Sequence, residues 1–175
     1  MRIVRKFGAR RAKFWQARGM LDRFDRQLLD LLQRDAALTA DQLSASVSLS
    51  PSAIARRIRR MRGDGTIART IALLGRVATA ARLKALVLVQ LDEHANQAGK
   101  SALSQRLLPQ SEVQFAYEVT GGHDLIVLFD CASMADFNAV AEAVLVPDPT
   151  VRRYETSFVK TEVKFAPFVG MATGG

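Results

Sequence analysis

The chain has 175 residues, of which 49% are hydrophobic, so it is long and apolar enough to bury a core and is not predicted to be disordered. Its single cysteine, Cys131, excludes an internal disulfide framework and a cysteine-based zinc site, and no run of about 18–20 apolar residues predicts a membrane helix. These two features make a protein of the reducing cytoplasm the expectation. The net charge of +8 is uneven, with +7 in residues 1–19, +5 in residues 20–82 and −4 in residues 83–175, which predicts that the front half binds a polyanion.

Residues 1–20 are predicted to be a basic N-terminal extension. They are rich in arginine, contain no Asp or Glu, and lack the apolar region of a secretory signal peptide. Two interpretations fit this composition. One is an arm that adds affinity for nucleic-acid phosphates, and the other is an extension without a defined role ahead of a second methionine, Met20.

Residues 21–75 are predicted to fold as a winged helix-turn-helix domain that begins with two helices. The first helix covers residues 22–34 and is capped by Asp22, and its apolar residues recur at helical spacing. The second helix is short and opens at Thr39, which forms a capping box with Gln42.

The third helix has clear start and stop signals. Ser50 is the predicted N-cap, and Pro51 occupies the first helical position, where its missing N–H costs nothing. The helix is expected to end near Gly63–Gly65, because glycine suits a left-handed C-terminal residue. The β-rich stretch Thr66–Gly75 is then predicted to form a strand or wing. Three helices with a short turn between the last two indicate a DNA-binding helix-turn-helix.

The third helix is predicted to be buried on one side and cationic on the other. At about 100° per residue, Ile54, Ile58 and Met61 share one face. A solvated charged face is the alternative, but such faces usually mix signs and this one contains no acid. We expect Arg57 to orient the helix or to contact a phosphate rather than a base. The residues expected to contact bases are Ser52, Arg56 and Arg60. The predicted DNA-binding residues are Ser50, Ser52, Ala53, Arg56, Arg57, Arg59, Arg60 and Arg62.

The second half of the chain alternates strands and helices in the order β-α-β-β-α-β, which predicts a ferredoxin-like domain over residues 85–166 and hence an α+β protein. A linker over residues 76–84 precedes this domain, and residues 167–175 form a tail. The predicted strands are residues 85–92, 112–119, 125–131 and 151–165. Of the two predicted helices, the first ends before Pro109 and the second begins at Ser133.

One strand predicts an intermolecular contact. Alternation places Val113, Phe115, Tyr117 and Val119 on one face of the strand at residues 112–119. Two helices cover only one face of such a sheet, so this additional apolar face predicts a dimer that forms through the sheets.

The chain resembles the Lrp/AsnC (feast/famine) family of transcriptional regulators over about residues 21–165. The first half is similar to the family's winged helix-turn-helix, with methionine in place of leucine near its end. The second half resembles the family's amino-acid-sensing domain through a V-x-G-x-x-D turn and a final strand, TSFVKTEVK. The matching positions of the first half are Leu21, Asp22, Asp25, Leu28, Leu49, Ser50, Arg57, Arg59, Arg60, Met61, Gly65 and Ile67, and those of the turn are Val119, Gly121 and Asp124.

The resemblance implies a sequence-specific regulator that binds double-stranded DNA as a homodimer, assembles further to an octamer, and responds to an amino acid. The effector would bind near the turn, with its amine on Asp124 and its carboxylate on backbone N–H groups. The sequence departs from the family at Gly122 and His123, and a plain hairpin turn is the alternative. The expected effector-binding residues are Val119, Gly121, Gly122, His123 and Asp124.

Two other functions are compatible with this architecture. One is an enzyme resembling haem-pathway decarboxylases, which would need histidines and arginines around a tetrapyrrole, although the chain has only His94 and His123. The other is an amino-acid-binding scaffold that has lost operator binding. The cationic third helix argues against both, and no catalytic triad, phosphate loop or metal-ligand spacing is present, so neither catalysis nor a cofactor is expected.

Overall fold

The computed structural model describes residues 21–92 and 97–171, and the predicted basic extension lies outside them. The described residues form two compact units. The first contains residues 21–72 together with residues 166–171, and the second contains the remaining residues, from 73 to 165. Among the described residues, no helix has both the length and the apolar character needed to cross a membrane.

The first unit contains three helices, α1 (Arg23–Arg34), α2 (Ala40–Ser44) and α3 (Pro51–Gly63). Each predicted N-cap is confirmed. The Asp22 side chain accepts from the backbone N–H of Asp25, and Ser50 Oγ accepts from Ala53. Thr39 forms the expected capping box with Gln42. After α3, Gly65 has a φ of 75°, the left-handed conformation that favours glycine.

The core of the first unit fixes the orientation of α3. Leu28 of α1, Leu43 of α2 and Ile54 and Met61 of α3 are at most 1% exposed and lie in one cluster, with Ile58 packed against it. Burying a Leu- or Ile-sized side chain stabilises the fold by about 1.5–3 kcal/mol, so these contacts determine which side of α3 faces solvent.

The strand predicted over Thr66–Gly75 is wrong. Residues 68–75 form neither helix nor strand, and they expose Ile71 and Leu74. A β-rich segment forms a strand only where a neighbour accepts its backbone hydrogen bonds, and none of the described residues pairs with this segment. The helix-turn-helix is present, whereas the part of the chain that the structure describes contains no strand-based wing.

The second unit is the predicted ferredoxin-like domain. After the short helix α4 (Arg76–Thr79), strand β1 (Leu83–Leu91) is followed by α5 (Gln97–Leu107), β2 (Val113–Glu118), β3 (Leu125–Cys131), α6 (Met134–Val144) and β4 (Val151–Phe158). The sheet is antiparallel in the order β2-β3-β1-β4. Its helix-covered face buries residues from β1, β3 and both long helices, including Val87, Leu103, Phe129 and Val144.

The last strand is shorter than predicted. It ends at Phe158, and the next residue, Val159, donates its N–H to the Lys84 carbonyl at 2.9 Å. Because β1 begins at Leu83, the residues beyond Val159 have no neighbouring strand.

The prediction that Val113 shares a face with Phe115 and Tyr117 is wrong, because β2 contains a bulge. Val113 is paired with Phe129 and Phe115 with Leu128, so Gln114 is an extra residue in this strand. Val113 therefore packs against the helix-covered core, whereas Phe115 and Tyr117 lie on the opposite, open face with their rings stacked 4.9 Å apart. The register also places Leu86, Leu88, Ile126 and Leu128 on that open face.

The tail is bound to the first helix of the first unit. Gln33 Nε2 donates to the Val169 carbonyl at 3.0 Å, and the Val169 N–H donates to Gln33 Oε1 at 2.9 Å. The Met171 N–H donates to Asp30, and its side chain packs against the helical core. The tail thus forms a fourth element of the helix-turn-helix unit.

We expect Gln33→Ala to lower the free energy of unfolding of this unit by about 1 kcal/mol, because both hydrogen bonds to Val169 are lost. Denaturant unfolding followed by the helical circular dichroism signal measures this change. Gln27→Ala on α1 is the matched control, since the Gln27 side chain is exposed and makes no hydrogen bond among the described residues. Equal effects of the two substitutions would show that the tail contact contributes nothing.

Candidate functional site

Helix α3 presents a cationic surface as predicted. Ile54 and Met61 are buried, while Ser52, Arg56 and Arg59 are exposed on the opposite side. Among the described residues, no ion pair reaches Arg56, Arg59 or Arg62. These three guanidinium groups are therefore available for an external anion, and Arg59 and Arg56 are central on the exposed face.

The partners of Arg57 lie on the first helix. Its Nη1 is 2.7 Å from Asp22 Oδ2 and 2.9 Å from Asp25 Oδ1, and the guanidinium lies over the Phe24 ring with a centroid distance of 5.7 Å. The predicted orienting role of Arg57 fits this geometry, because these contacts join the start of α1 to the middle of α3.

Arg60 is placed differently from the prediction. Its Nη2 is 2.6 Å from Asp25 Oδ2, so its charge is already paired within the domain. Helical spacing correctly placed Arg60 on the exposed side of α3, but it gave no information about a carboxylate on another helix. Among the residues that the structure describes, the cations at the centre of this surface without an ion-pair partner are therefore Arg56 and Arg59.

The carboxyl group of Asp22, at the start of α1, has a pKa below its usual range. The backbone N–H of Asp25 donates to Asp22 and lowers the pKa of Asp22, and Arg57 lowers it further. The hydrogen bonds that Arg57 donates to the carboxylates of Asp22 and Asp25 raise the pKa of Arg57. Because the folded-state pKa of Asp22 is depressed, its contribution to stability is complete above the ordinary value of about 3.9 and is lost as the pH falls below it.

At the N-terminus of α3, the predicted residues contact one another. Ser50 Oγ accepts the Ala53 N–H at 3.3 Å and lies 3.2 Å from Ser52 Oγ. Ala53 is half-buried, and its N–H is used by the cap. The exposed hydroxyl of Ser52 is thus the polar group at this end of the helix that remains most available to a ligand.

The turn predicted to bind an effector joins β2 to β3 and is fastened to β1. The Val119 N–H donates to the Asp124 carbonyl, and the Asp124 N–H donates to the Val89 carbonyl, both at 2.9 Å. Asp124 Oδ2 accepts the Leu91 N–H at 2.9 Å. Gly121 has a φ of 132°, a conformation that side-chain-bearing residues rarely adopt. A third strand, β1, therefore holds this hairpin turn in place.

The other turn residues differ in accessibility. Gly121 and Gly122 are exposed, and His123 is half-buried. The Nε2 atom of His123 is buried and has no hydrogen-bond partner among the described residues. Asp124 Oδ2 is used by Leu91, and no described residue bonds to Oδ1, so one carboxylate oxygen remains for a ligand.

The sequence gave no indication of a residue pair beside this turn. Gln90 Nε2 donates to the Gly122 carbonyl, and Gln90 Oε1 accepts from Arg153 Nε at 2.8 Å. Gln90 and Arg153 face each other only because β1 and β4 are paired in that register. The strand register would have been needed to predict this pair.

Cys131 and the acidic residues do not form a reactive or metal-binding site in the described part of the chain. Cys131 is buried, and this burial raises the pKa of its thiol, which disfavours the nucleophilic thiolate. No group of three or more His, Cys, Asp or Glu residues among those described is arranged to hold a metal ion. The buried Asp130 and Asp148 are instead paired with Arg82 and Arg106.

Comparison with known families matches both units. A model of the AsnC-type helix-turn-helix domain matches residues 21–62, and a model of the Lrp/AsnC ligand binding domain matches residues 84–167. The first match includes all but the last residue of α3, and the second includes the turn of residues 119–124 and ends before most of the tail that binds α1.

Curated relatives are similar over most of their length. The chain is 31% identical over 145 residues to the transcriptional regulatory protein DoeX of Halomonas elongata, covering 82% of this chain and 90% of DoeX. It is 32% identical to a glutamate uptake regulatory protein of Zymomonas mobilis, covering 67% of this chain and 71% of that protein.

Solved structures share the same fold. A transcriptional regulator from Neisseria meningitidis, crystallised with L-methionine, has a TM-score of 0.74 at 26% identity. The match covers 85% of this chain and 95% of that regulator's chain. An AsnC family transcriptional regulator from Agrobacterium tumefaciens has a TM-score of 0.75 at 26% identity, and the match covers 85% of this chain and 96% of that regulator's chain.

Proposed function

Because the chain belongs to the Lrp/AsnC family of transcriptional regulators, we propose that it binds DNA and that a small effector, an amino acid, modulates this binding. The observation that carries the proposal is the geometry of α3, whose apolar side is locked into the core while Arg56 and Arg59 project away from it. The major groove of DNA accommodates such a helix, and arginine pairs with both phosphates and guanine edges.

The predicted DNA-binding residues have different proposed roles. Ser52, Arg56 and Arg59 contact bases or phosphates directly, whereas Arg62 contacts a phosphate near the end of the helix. Ser50 and Ala53 form the helix start, and Arg57 holds α3 against α1. We propose no catalytic role, which agrees with the regulatory names of the curated relatives, and we propose a cytoplasmic location with the DNA.

Mapping of the binding sites across the genome, with and without each amino acid, tests the proposed function as a whole. A set of enriched sites that share a sequence motif, and whose occupancy changes with one or a few amino acids, is the expected result. The absence of enriched sites in every condition would overturn DNA binding. Sites whose occupancy is the same with and without every amino acid would overturn the proposal that an amino acid modulates DNA binding.

We propose that the effector binds at the turn of residues 119–124, as the resemblance of this turn to that of the Lrp/AsnC family implies. The neighbouring structure from Neisseria meningitidis contains L-methionine, which supports an amino acid as the class of ligand. Asp124 supplies an anionic oxygen for the α-amino group, and the exposed glycines Gly121 and Gly122 leave space for a carboxylate near backbone N–H groups.

Asp124→Asn tests this assignment without disturbing the fold, because an amide oxygen still accepts the Leu91 N–H. We expect amino-acid affinity to fall about tenfold or more, since a charge-assisted hydrogen bond contributes about 1.5–3 kcal/mol. Isothermal titration calorimetry with a panel of amino acids measures this loss. Glu118→Gln on β2 removes an exposed charge nearby and should bind like the wild type. Equal binding by wild type and Asp124→Asn would remove Asp124 from the site.

We also propose a homodimer that forms through the open face of the sheet and assembles further, to an octamer. Phe115, Tyr117, Leu86 and Leu128 share that face, and Tyr117 is 61% exposed in the single chain. Contiguous exposed apolar surface of this kind marks interaction sites, and a second copy of the same face is its simplest complement.

A further inference from the structure

A buried carboxylate lies directly behind the cationic surface of α3. Asp25 is 1% exposed, and it is 2.9 Å from Arg57 and 2.6 Å from Arg60. The two arginines are accessible from outside, since their side chains are 23% and 51% exposed. The same guanidinium groups therefore face both a buried anion and the surface proposed to meet DNA.

The two ion pairs limit what these arginines can do on DNA. A buried charge that loses its partner is strongly unfavourable, so Arg60 cannot move to a phosphate without leaving Asp25 less compensated. An arginine that already neutralises a carboxylate adds little further attraction for phosphates. Non-specific DNA binding is almost entirely electrostatic and depends on the number of phosphates that the protein neutralises.

We infer that Asp25 is a positioning residue that withholds Arg60 from phosphates, and shares Arg57 with Asp22, and thereby lowers non-specific DNA affinity. Arg56 and Arg59 remain free for the contacts that specify a site. Asp25 thus raises the ratio of specific to non-specific binding while it fixes α1 against α3. This inference rests on the proposed DNA-binding function and adds to it a determinant of specificity.

Asp25→Asn in the full chain separates the charge of Asp25 from its capping role, because the amide oxygen still accepts the Asp22 N–H. Arg57 keeps Asp22 as a partner, so Arg60 is the charge released. We expect tighter binding to a mixed-sequence synthetic duplex, measured by fluorescence anisotropy. We expect the slope of log affinity against log salt to become steeper by about one unit, since each neutralised phosphate contributes about 0.9.

Asp35→Asn is the matched control. It removes one negative charge just beyond the other end of α1, and its amide oxygen still accepts the Ala37 N–H. If only net charge mattered, the salt slopes of both variants would become steeper by the same amount, and this result would overturn the inference. A salt slope for Asp25→Asn that is equal to or flatter than that of the wild type would also overturn it. The double variant Asp25→Asn with Arg60→Gln should return to the wild-type slope.

A second comparison keeps the inference testable if Asp25→Asn does not fold. With Asp25 intact, Arg60→Gln should flatten the salt slope by well under one unit, whereas Arg59→Gln should flatten it by about one unit. Equal losses would overturn the inference. A wild-type protein that shows no salt-dependent DNA binding would instead overturn the proposed function itself, so the two failures are distinguishable.

Discussion

Replacing Arg56 and Arg59 together with alanine is expected to weaken DNA binding about a hundredfold at fixed salt. Both guanidinium groups project from the exposed side of α3, and among the described residues neither has an ion-pair partner. An arginine contact to a base or a phosphate in such complexes contributes about 1–3 kcal/mol, or about tenfold for each residue. Neither side chain packs in the core, so the fold should be unaffected.

The salt dependence distinguishes this loss from a structural effect. Loss of two phosphate contacts flattens the slope of log affinity against log salt by about two units, and loss of one base and one phosphate contact flattens it by about one. Fluorescence anisotropy on duplexes taken from mapped sites, titrated over roughly 50–200 mM salt, measures both quantities. A base-contacting arginine would also relax preference at one position of the site, which a phosphate-contacting arginine would not.

The control variant also removes two positive charges, but from the second unit. Lys160 and Lys164 are exposed and follow β4, so replacing both with alanine changes the net charge equally without altering α3. This variant should keep the wild-type slope. An unchanged affinity for the Arg56 and Arg59 variant, or equal losses in the two double variants, would contradict the proposed interface.

Features set by residues close together in sequence could be predicted. The caps at Asp22, Thr39 and Ser50 depend on residues three positions away, and each was predicted correctly. The buried side of α3 follows from helical periodicity alone. The order of strands and helices in the second unit also follows from local alternation, and it was sufficient to indicate the ferredoxin-like arrangement.

Features set by pairing between distant residues could not be predicted. The bulge at Gln114 reverses the face of Val113, and its position depends on the register with β3. The contact of Gln33 with Val169 joins residues 136 positions apart. The partners of Arg60 and Arg153 likewise lie on other elements. In each case the local pattern gave the side chain's direction at best, and only the tertiary structure gave its partner.

Ile54→Ala is expected to abolish DNA binding although Ile54 faces away from the proposed DNA surface. Ile54 is fully buried, and its truncation costs about 2–5 kcal/mol through lost burial and a residual cavity. A small helical unit has a stability of only a few kcal/mol, so this loss unfolds much of it and removes the frame that directs Arg56 and Arg59 outward. Ile71→Ala is the matched control, because Ile71 is 64% exposed and its truncation should cost under about 0.5 kcal/mol.

Amide hydrogen exchange read by mass spectrometry locates the effect of Ile54→Ala. We expect α1, α2 and α3 to lose protection while β1 and β3 keep it, because the two units have separate cores. Simultaneous loss in both units would show that they unfold as one, and wild-type protection of α3 would show that Ile54 does not anchor it. The apolar side of α3 is therefore as necessary for the proposed DNA binding as its arginines, since the arginines can contact DNA only where the core directs them.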